Sequence, residues 1–126
     1  MIVDAWDDPD SRRSRTSVSD RAERALLGAL LITNDVAAAE GLTPAMFRSK
    51  QRGAAFAAMQ EAGPEFDALT LAARLEHCDV PAPGGDWVIA LAACLDDTSA
   101  DLARQYARII KEAALERRAE ARRAGR

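Results

Sequence analysis

The side chains best suited to acid–base chemistry are few and scattered along this chain of 126 residues. His77, the single histidine, stands beside Glu76 and Asp79. On a helix, residues one or two positions from His77 do not face it, so this cluster is weak support for catalysis. We expect His77 to be solvated at a helix end. We expect the negative charges of Asp96 and Asp97 to interact favourably with the N-terminus of the following helix. The sequence therefore names no catalytic residue.

Signals for metal and phosphate binding are equally weak. Cys78 and Cys94 are the only cysteines and belong to no CxxC pair, so with one histidine they supply too few ligands for zinc. We expect two reduced thiols, with Cys94 acting as a small core residue. Gly84 and Gly85 lack the lysine and the spacing of a phosphate-binding loop. We therefore predict no metal, no cofactor and no enzymatic activity.

Charge is distributed unevenly along the chain, whose formal net charge is −3. The segment from Asp101 to Arg126 holds eight Lys or Arg and four Asp or Glu, so it is net basic and the remainder is strongly acidic. This asymmetry argues against a generally basic nucleic-acid binder and suits an acidic partner or the acidic body of a neighbouring copy. The N-terminus has the wrong charge for a signal peptide, and no apolar run reaches membrane-spanning length. We expect a cytoplasmic protein with no membrane contact.

Helical signals recur throughout, whereas no stretch alternates with the period of a strand. Residues 1–19 are rich in Asp, Arg and Ser and predict a disordered tail. Residues 20–97 predict an all-α globular domain, a compact orthogonal bundle of about six short helices, and residues 98–126 predict one long basic helix. The predicted N-caps are Asp20, Asn34 or Asp35, Thr43, Ser49, Asp67 and Asp86.

Apolar residues at helical spacing predict the core. A glycine inside the first helix, Gly28, costs about 1 kcal/mol relative to Ala, which suggests that another backbone passes close to it. The predicted core positions are Leu26, Leu27, Leu30, Leu31, Met46, Phe47, Phe56, Met59, Leu69, Ala72, Leu75, Trp87, Val88, Leu91, Cys94 and Leu95.

The long basic helix is amphipathic and requires a partner surface. Its apolar face comprises Leu102, Tyr106, Ile109, Ile110 and Ala113. Its basic residues are Arg104, Arg108, Lys111, Arg117 and Arg118, followed by Arg122 and Arg123. Three uses of the arginines remain open: contact with a protein, contact with nucleic-acid phosphates, and simple solvation of a linker helix.

Five segments, in order and with loops of suitable length between them, resemble the N-terminal domain of DnaB-type replicative DNA helicases. The resemblance covers roughly residues 20–118. The segments are ERALLGALLI from Glu23, LTPAMF from Leu42 with Phe56 and Met59 after it, FDALTLAARLE from Phe66, GGDWVIAL from Gly84 and TSADLARQYARIIKEAALERR from Thr98. The chain departs from the family at Arg52, where a His is usual, and at Ala54 and Ala55, where bulkier aliphatic residues are usual.

The resemblance implies a non-catalytic assembly module that dimerises through a helical hairpin, forms a ring above the ATPase ring and docks primase or a helicase loader. The ATPase motor itself is absent from the chain. By the same resemblance, we expect self-association through Tyr106, Ile109, Ile110 and Ala113. We expect partner or nucleic-acid contact through Arg104, Arg108, Lys111, Arg117 and Arg118.

Two other functions fit the same residues. One is a free-standing helicase-like adaptor or decoy that binds replication proteins. The other is a small nucleic-acid-binding helical protein that uses the arginines of the tail. The family has two long helices in its hairpin, and this chain ends soon after the first, so a monomer or a weaker dimer is the alternative to a ring.

Overall fold

The protein is described by a computed structural model that covers residues 9–96 and 98–125, with side chains from residue 18 onward. The described residues form five α-helices: α1 Pro9–Thr33, α2 Lys50–Ala62, α3 Ala68–His77, α4 Trp87–Ala93 and α5 Ala103–Ala124. Short 3-10 helices cover Val36–Ala39, Pro44–Met46, Pro83–Gly85 and Ala100–Leu102. These two ranges contain no strand. The all-α fold class and the long C-terminal helix are confirmed.

Five predicted N-caps stand at the starts of their helices, and three of them form side-chain hydrogen bonds there, whereas Asp35 and Thr43 precede 3-10 helices without such a bond. Ser49 accepts a hydrogen bond from the backbone N–H of Arg52 at the start of α2. Asp67 and Thr70 bond reciprocally at the start of α3, which is a complete capping box. Asp86 accepts from two backbone N–H groups at the start of α4. Local side-chain chemistry therefore fixes where these three helices begin.

The first helix begins earlier than the sequence predicted. The predicted start at Asp20 is wrong, because α1 begins at Pro9 and Asp20 lies within it. Proline suits the first position of a helix, where its missing N–H costs nothing. The Asp20 carboxylate instead accepts a hydrogen bond from Arg52 of α2. The predicted tail at residues 1–19 thus overlaps α1 from residue 9 onward, and its first eight residues lie outside the described part.

The core is built from one face of each α-helix. Leu26, Leu27 and Leu30 of α1 are buried, as predicted. The other large buried apolar side chains are Leu42, Phe47, Phe56, Met59, Phe66, Leu71, Leu75, Trp87, Leu91 and Ile110. Phe47 and Phe56 stack at a ring-centroid distance of 5.2 Å. Between them, these residues join all five helices in one apolar cluster.

Some predicted core positions were wrong. Leu69 is 66% exposed, and Leu71 takes the inward position instead. The buried side chains of α3 are Leu71, Ala72 and Leu75, which share one face at helical spacing, and Leu69 lies off that face. Val88 and Leu95 are also exposed: Val88 lies off the face of α4 that Trp87 and Leu91 bury, and Leu95 lies beyond the end of α4 at Ala93.

The prediction for Gly28 is confirmed by a close backbone contact. The Cβ of any other residue at this position would lie 2.1 Å from the carbonyl oxygen of Cys94, at the end of α4. Just beyond, the Thr98 hydroxyl donates a hydrogen bond to the carbonyl oxygen of Ala25. The end of α4 and the start of the segment leading to α5 are therefore held directly against α1, which fixes where α5 begins.

Candidate functional site

The candidate site is the outer surface of α5, which divides into two flanks. A stripe of four side chains, Ala103, Ala107, Ile110 and Ala114, is buried against the core. Successive residues of an α-helix turn by about 100°, so the residues beside this stripe fall into two sets. One set, the basic flank, comprises Arg104, Arg108, Lys111 and Arg118. The other, the apolar flank, comprises Leu102, Tyr106, Ile109 and Ala113.

The basic flank borders an open groove of about 410 Å³. Arg104, Arg108 and Lys111 line one side of it. The opposite side and the floor come from the segment after α1 and from α5 itself. These residues are Ala37, Ala38, Glu40, Leu42 and Ala107. The groove therefore has a basic rim with a single carboxylate, over a floor of small and aliphatic side chains.

The positive charges of this groove have no carboxylate partner among the side chains that the structure describes. Arg104, Arg108 and Lys111 are exposed, and none of them forms an ion pair with a carboxylate that the structure describes. Exposed, unpaired cations on one rim attract anionic groups from outside and speed their encounter. Three of the five basic residues predicted as partner contacts thus meet at one groove.

The other two predicted contact arginines lie further along α5 and differ from each other. Arg117 is half-buried and donates a hydrogen bond of 2.8 Å to the carbonyl oxygen of Met46. It therefore fastens α5 to the 3-10 helix Pro44–Met46. Arg118 is exposed and belongs to the basic flank. The residue spacing gave no sign of this difference, because the acceptor lies 71 positions away.

The apolar flank contains three of the four residues predicted for self-association. Ile109 is 36% exposed, and Tyr106 and Ala113 are half-buried. The Tyr106 hydroxyl accepts a hydrogen bond from the backbone N–H of Ser99, so its ring is held in place. Ile110 is 0% exposed in the core of its own chain. The structure therefore places Ile110 away from the surface that a second copy would meet, and the flank consists of Tyr106, Ile109, Ala113 and Leu102.

A buried charge cluster joins α1 to α2, and the sequence pattern did not reveal it. Glu23 is 0% exposed, and its carboxylate accepts hydrogen bonds from the backbone N–H groups of Arg48 and Ser49. Arg52 donates to the same carboxylate at 3.1 Å and also to Asp20. Burial alone would lower the pKa of Arg52, but these hydrogen bonds and the two negative charges outweigh it and raise that pKa.

This cluster has a structural role. Both carboxylate oxygens of Glu23 accept hydrogen bonds from other parts of the fold, so this carboxylate is not available to bind a ligand. The Arg52 guanidinium forms hydrogen bonds to both carboxylates. It thus places a permanently charged group opposite a buried carboxylate.

An exposed apolar face on α4 was also missed. The helix WVIALAA contains no polar residue, and Val88, Ile89, Ala92 and Ala93 are exposed. Ile89 alone is 68% exposed. A helix that is apolar all round is normally buried on every side. Since a surface helix buries only one side, the all-apolar sequence of α4 was the signal for an exposed apolar face. Trp87, a predicted core position, is buried, and its indole N–H donates to the carbonyl oxygen of Val80.

The residues considered for acid–base or metal chemistry do not come together. His77 is the last residue of α3 and is exposed. Cys78 is exposed and Cys94 is buried, and burial raises the pKa of the Cys94 thiol. Within the described ranges there is no group of metal-ligating side chains with suitable geometry. No helix in those ranges is both long and apolar enough to cross a membrane.

Comparisons with known proteins agree on one family. A family model described as the DnaB-like helicase N terminal domain matches residues 16–112. The chain is similar in structure to the N-terminal domain of DnaB helicase from Mycobacterium tuberculosis, with a TM-score of 0.72 and 29% sequence identity. That alignment covers 80% of this chain and 77% of the other. No curated protein matches the sequence. The matched family span includes both flanks of α5 as far as Glu112.

Proposed function

Because the chain belongs to the family of DnaB-like helicase N-terminal domains, we propose that it is an assembly and docking module: it pairs with a second copy of itself and recruits a partner protein. Family membership makes it a helicase-associated replication module, and the domain has no enzymatic role. The finer proposal assigns self-association and partner docking to separate surfaces of α5. The apolar flank of α5 joins two copies, and the basic flank receives primase or a helicase loader.

One observation carries this proposal: α5 is buried along a single stripe and exposes two flanks of opposite chemistry. Tyr106 and Ile109 offer amphipathic and aliphatic surface of the kind that dominates binding energy at the centre of an interface. Beyond Ala114 the described side chains of α5 are exposed or half-buried, and Arg117 makes the last hydrogen bond to another part of the described fold, so the two turns after it are the least buried part of α5. This part of α5 is available as one arm of a helical hairpin.

The basic flank suits a partner with an acidic surface. From Arg104 to Arg118 the flank is about 21 Å long at 1.5 Å per residue, which is enough for a peptide or a helix of a partner. Exposed charges at the rim of an interface contribute more to encounter rate and specificity than to affinity. We therefore assign the lasting contact to the apolar flank and partner choice to the basic flank.

Sedimentation of the full chain tests the apolar flank. Ile109→Asp places an unpaired charge in the proposed contact and should abolish self-association, since such burial costs several kcal/mol. Leu115→Asp is the matched control, because Leu115 is 48% exposed on the same helix and lies on the basic side. The comparison is made near 1 M salt, where the Debye length is about 3 Å and charge contacts are screened. Equal effects of the two substitutions would overturn the assignment.

A pull-down with purified primase and with purified loader tests the basic flank. Arg108→Glu with Arg118→Glu should weaken binding of the partner and leave the high-salt self-association unchanged. Binding of single-stranded DNA that depends on the same two arginines, without any binding of primase or loader, would favour the nucleic-acid alternative instead.

A further inference from the structure

The groove beside α5 has the chemistry of a binding site for an acidic peptide with apolar side chains. Arg104, Arg108 and Lys111 supply exposed positive charge on one side. Leu42 and Ala107 are buried and form an apolar floor. Nothing in the described part of the fold fills this space, which measures about 410 Å³. A peptide that fits it must carry carboxylates for the rim and a hydrophobic side chain for the floor.

The chain itself contains a segment with this composition. Its first eight residues read MIVDAWDD, with three aspartates, one tryptophan and no Lys, Arg or His. Aspartates match the basic rim, and Trp6 with its neighbours Ile2 and Val3 matches the floor. We propose that residues 1–8 of one copy bind in the α5 groove of a second copy. This inference rests on the proposed function, because it fills part of the basic flank that the function assigns to partner contact.

The length of α1 argues that this contact joins two copies. α1 has 25 residues, so its ends lie about 36 Å apart at 1.5 Å per residue. The groove adjoins the far end of α1, because Ala37 follows Thr33 by only four residues and lines it. Asp7 and Asp8 directly precede Pro9, and two residues of extended chain span at most about 7 Å from that end of α1. Their carboxylates cannot enter the groove of their own chain, but they can enter that of a neighbour.

Two sets of charges compete with this contact. Glu40 lies on the groove wall and repels an incoming carboxylate. Arg12, Arg13 and Arg15 follow the acidic run within the same chain and offer it local partners. The three cations of the groove outnumber the one carboxylate, so the net attraction remains. A contact within one chain would not depend on Arg104 and Arg108, and this dependence separates the two arrangements.

The test uses full-length chains in the Ile109→Asp background at low salt, so that any association through the apolar flank is removed. The segment variant is Asp7→Arg with Asp8→Arg. The groove variant is Arg104→Glu with Arg108→Glu. The control variant is Arg122→Glu with Arg123→Glu, which makes the same charge change in the last turn of α5, outside the groove. Helix content by circular dichroism verifies that each variant is folded.

Sedimentation of each variant and of an equimolar mixture gives the result. We expect the segment and groove variants each to weaken low-salt association by about tenfold or more, since like charges then face each other. Mixing the two should restore association, because the arginines of one variant meet the glutamates of the other. The control variant should change low-salt association by less than about twofold. Raising the salt concentration should abolish this association in every variant.

Three outcomes would overturn the proposal. The Ile109→Asp chain is monomeric at low salt, the mixture fails to associate, or the control dissociates as much as the groove variant. Loss of high-salt association on Ile109→Asp, with no effect of the groove or segment changes, would leave the proposed function standing and remove only this inference. If the Ile109→Asp chain still associates at high salt and the mixture recovers association, the inference about residues 1–8 stands and the assignment of self-association to the apolar flank falls.

Discussion

The junction of α1 with α2 and the outer surface of α5 both carry arginines, and they use them in opposite ways. At the junction, Arg52 is paired with a fully buried carboxylate whose remaining bonds come from backbone N–H groups. On α5, Arg108 is exposed beside a groove and forms no ion pair with any described residue. Charge that is fully paired inside the fold sets the position of a helix, whereas charge left unpaired at the surface is available to a partner.

The junction should be the more sensitive of the two regions. Glu23→Ala leaves Arg52 short of a partner and two backbone N–H groups unsatisfied, and we expect it to reduce the free energy of unfolding by about 3–5 kcal/mol. Glu23→Gln retains the acceptor oxygen and loses the charge, so its effect should be smaller. Urea midpoints of both variants measure this difference. A loss below about 1 kcal/mol for Glu23→Ala would show that the cluster contributes little to the fold.

Local chemistry explains why some of these features were predictable. Ser49, Asp67 and Asp86 cap helices through residues two or three positions away, so their roles are readable from the sequence alone. Gly28 was also readable, because a helix interior tolerates glycine only for a reason. The partner of Arg52 was not, since Glu23 lies 29 positions away. Pairing over that distance is decided by how α1 and α2 pack.

The same limit applies to α5. Its basic residues and its amphipathic character were evident, and three of the basic residues do meet at one place. The groove itself was not predictable, because its other wall comes from residues 37–42 after α1. The sequence also offered two adjacent isoleucines with no means of choosing between them. Packing against α1 places Ile110 inside and leaves Ile109 at the surface.

These two isoleucines give a second comparison, within one helix. Ile110→Ala should cost about 2–5 kcal/mol, as expected for a large-to-small change in a core. Ile109→Ala should cost less than about 1 kcal/mol in the monomer, since its side chain is partly solvated. Chemical unfolding at a protein concentration low enough to prevent association measures both. Similar losses for the two substitutions would mean that α5 is rotated relative to the described packing.

The smallest expected effect separates Arg117 from Arg118, which are neighbours in sequence but belong to different regions in function. Arg117→Ala removes the hydrogen bond to the Met46 carbonyl. Bonds of this type to charged donors contribute about 1.5–3 kcal/mol, and partial exposure should reduce the loss to about 1 kcal/mol. Arg118→Ala should change stability by less than about 0.5 kcal/mol. Thermal and urea unfolding of the two variants, beside the parent chain, measure the difference.

The pair also decides how partner binding must be tested. A charge reversal at Arg117 would disturb the contact that fastens α5 to the 3-10 helix Pro44–Met46, so any loss of binding would mix a structural change with a lost surface charge. Arg118→Glu changes only the exposed flank and carries no such ambiguity. If Arg118→Ala destabilises the fold as much as Arg117→Ala, Arg118 is anchored too. The unpaired charge available to a partner would then be confined to Arg104, Arg108 and Lys111 at the groove.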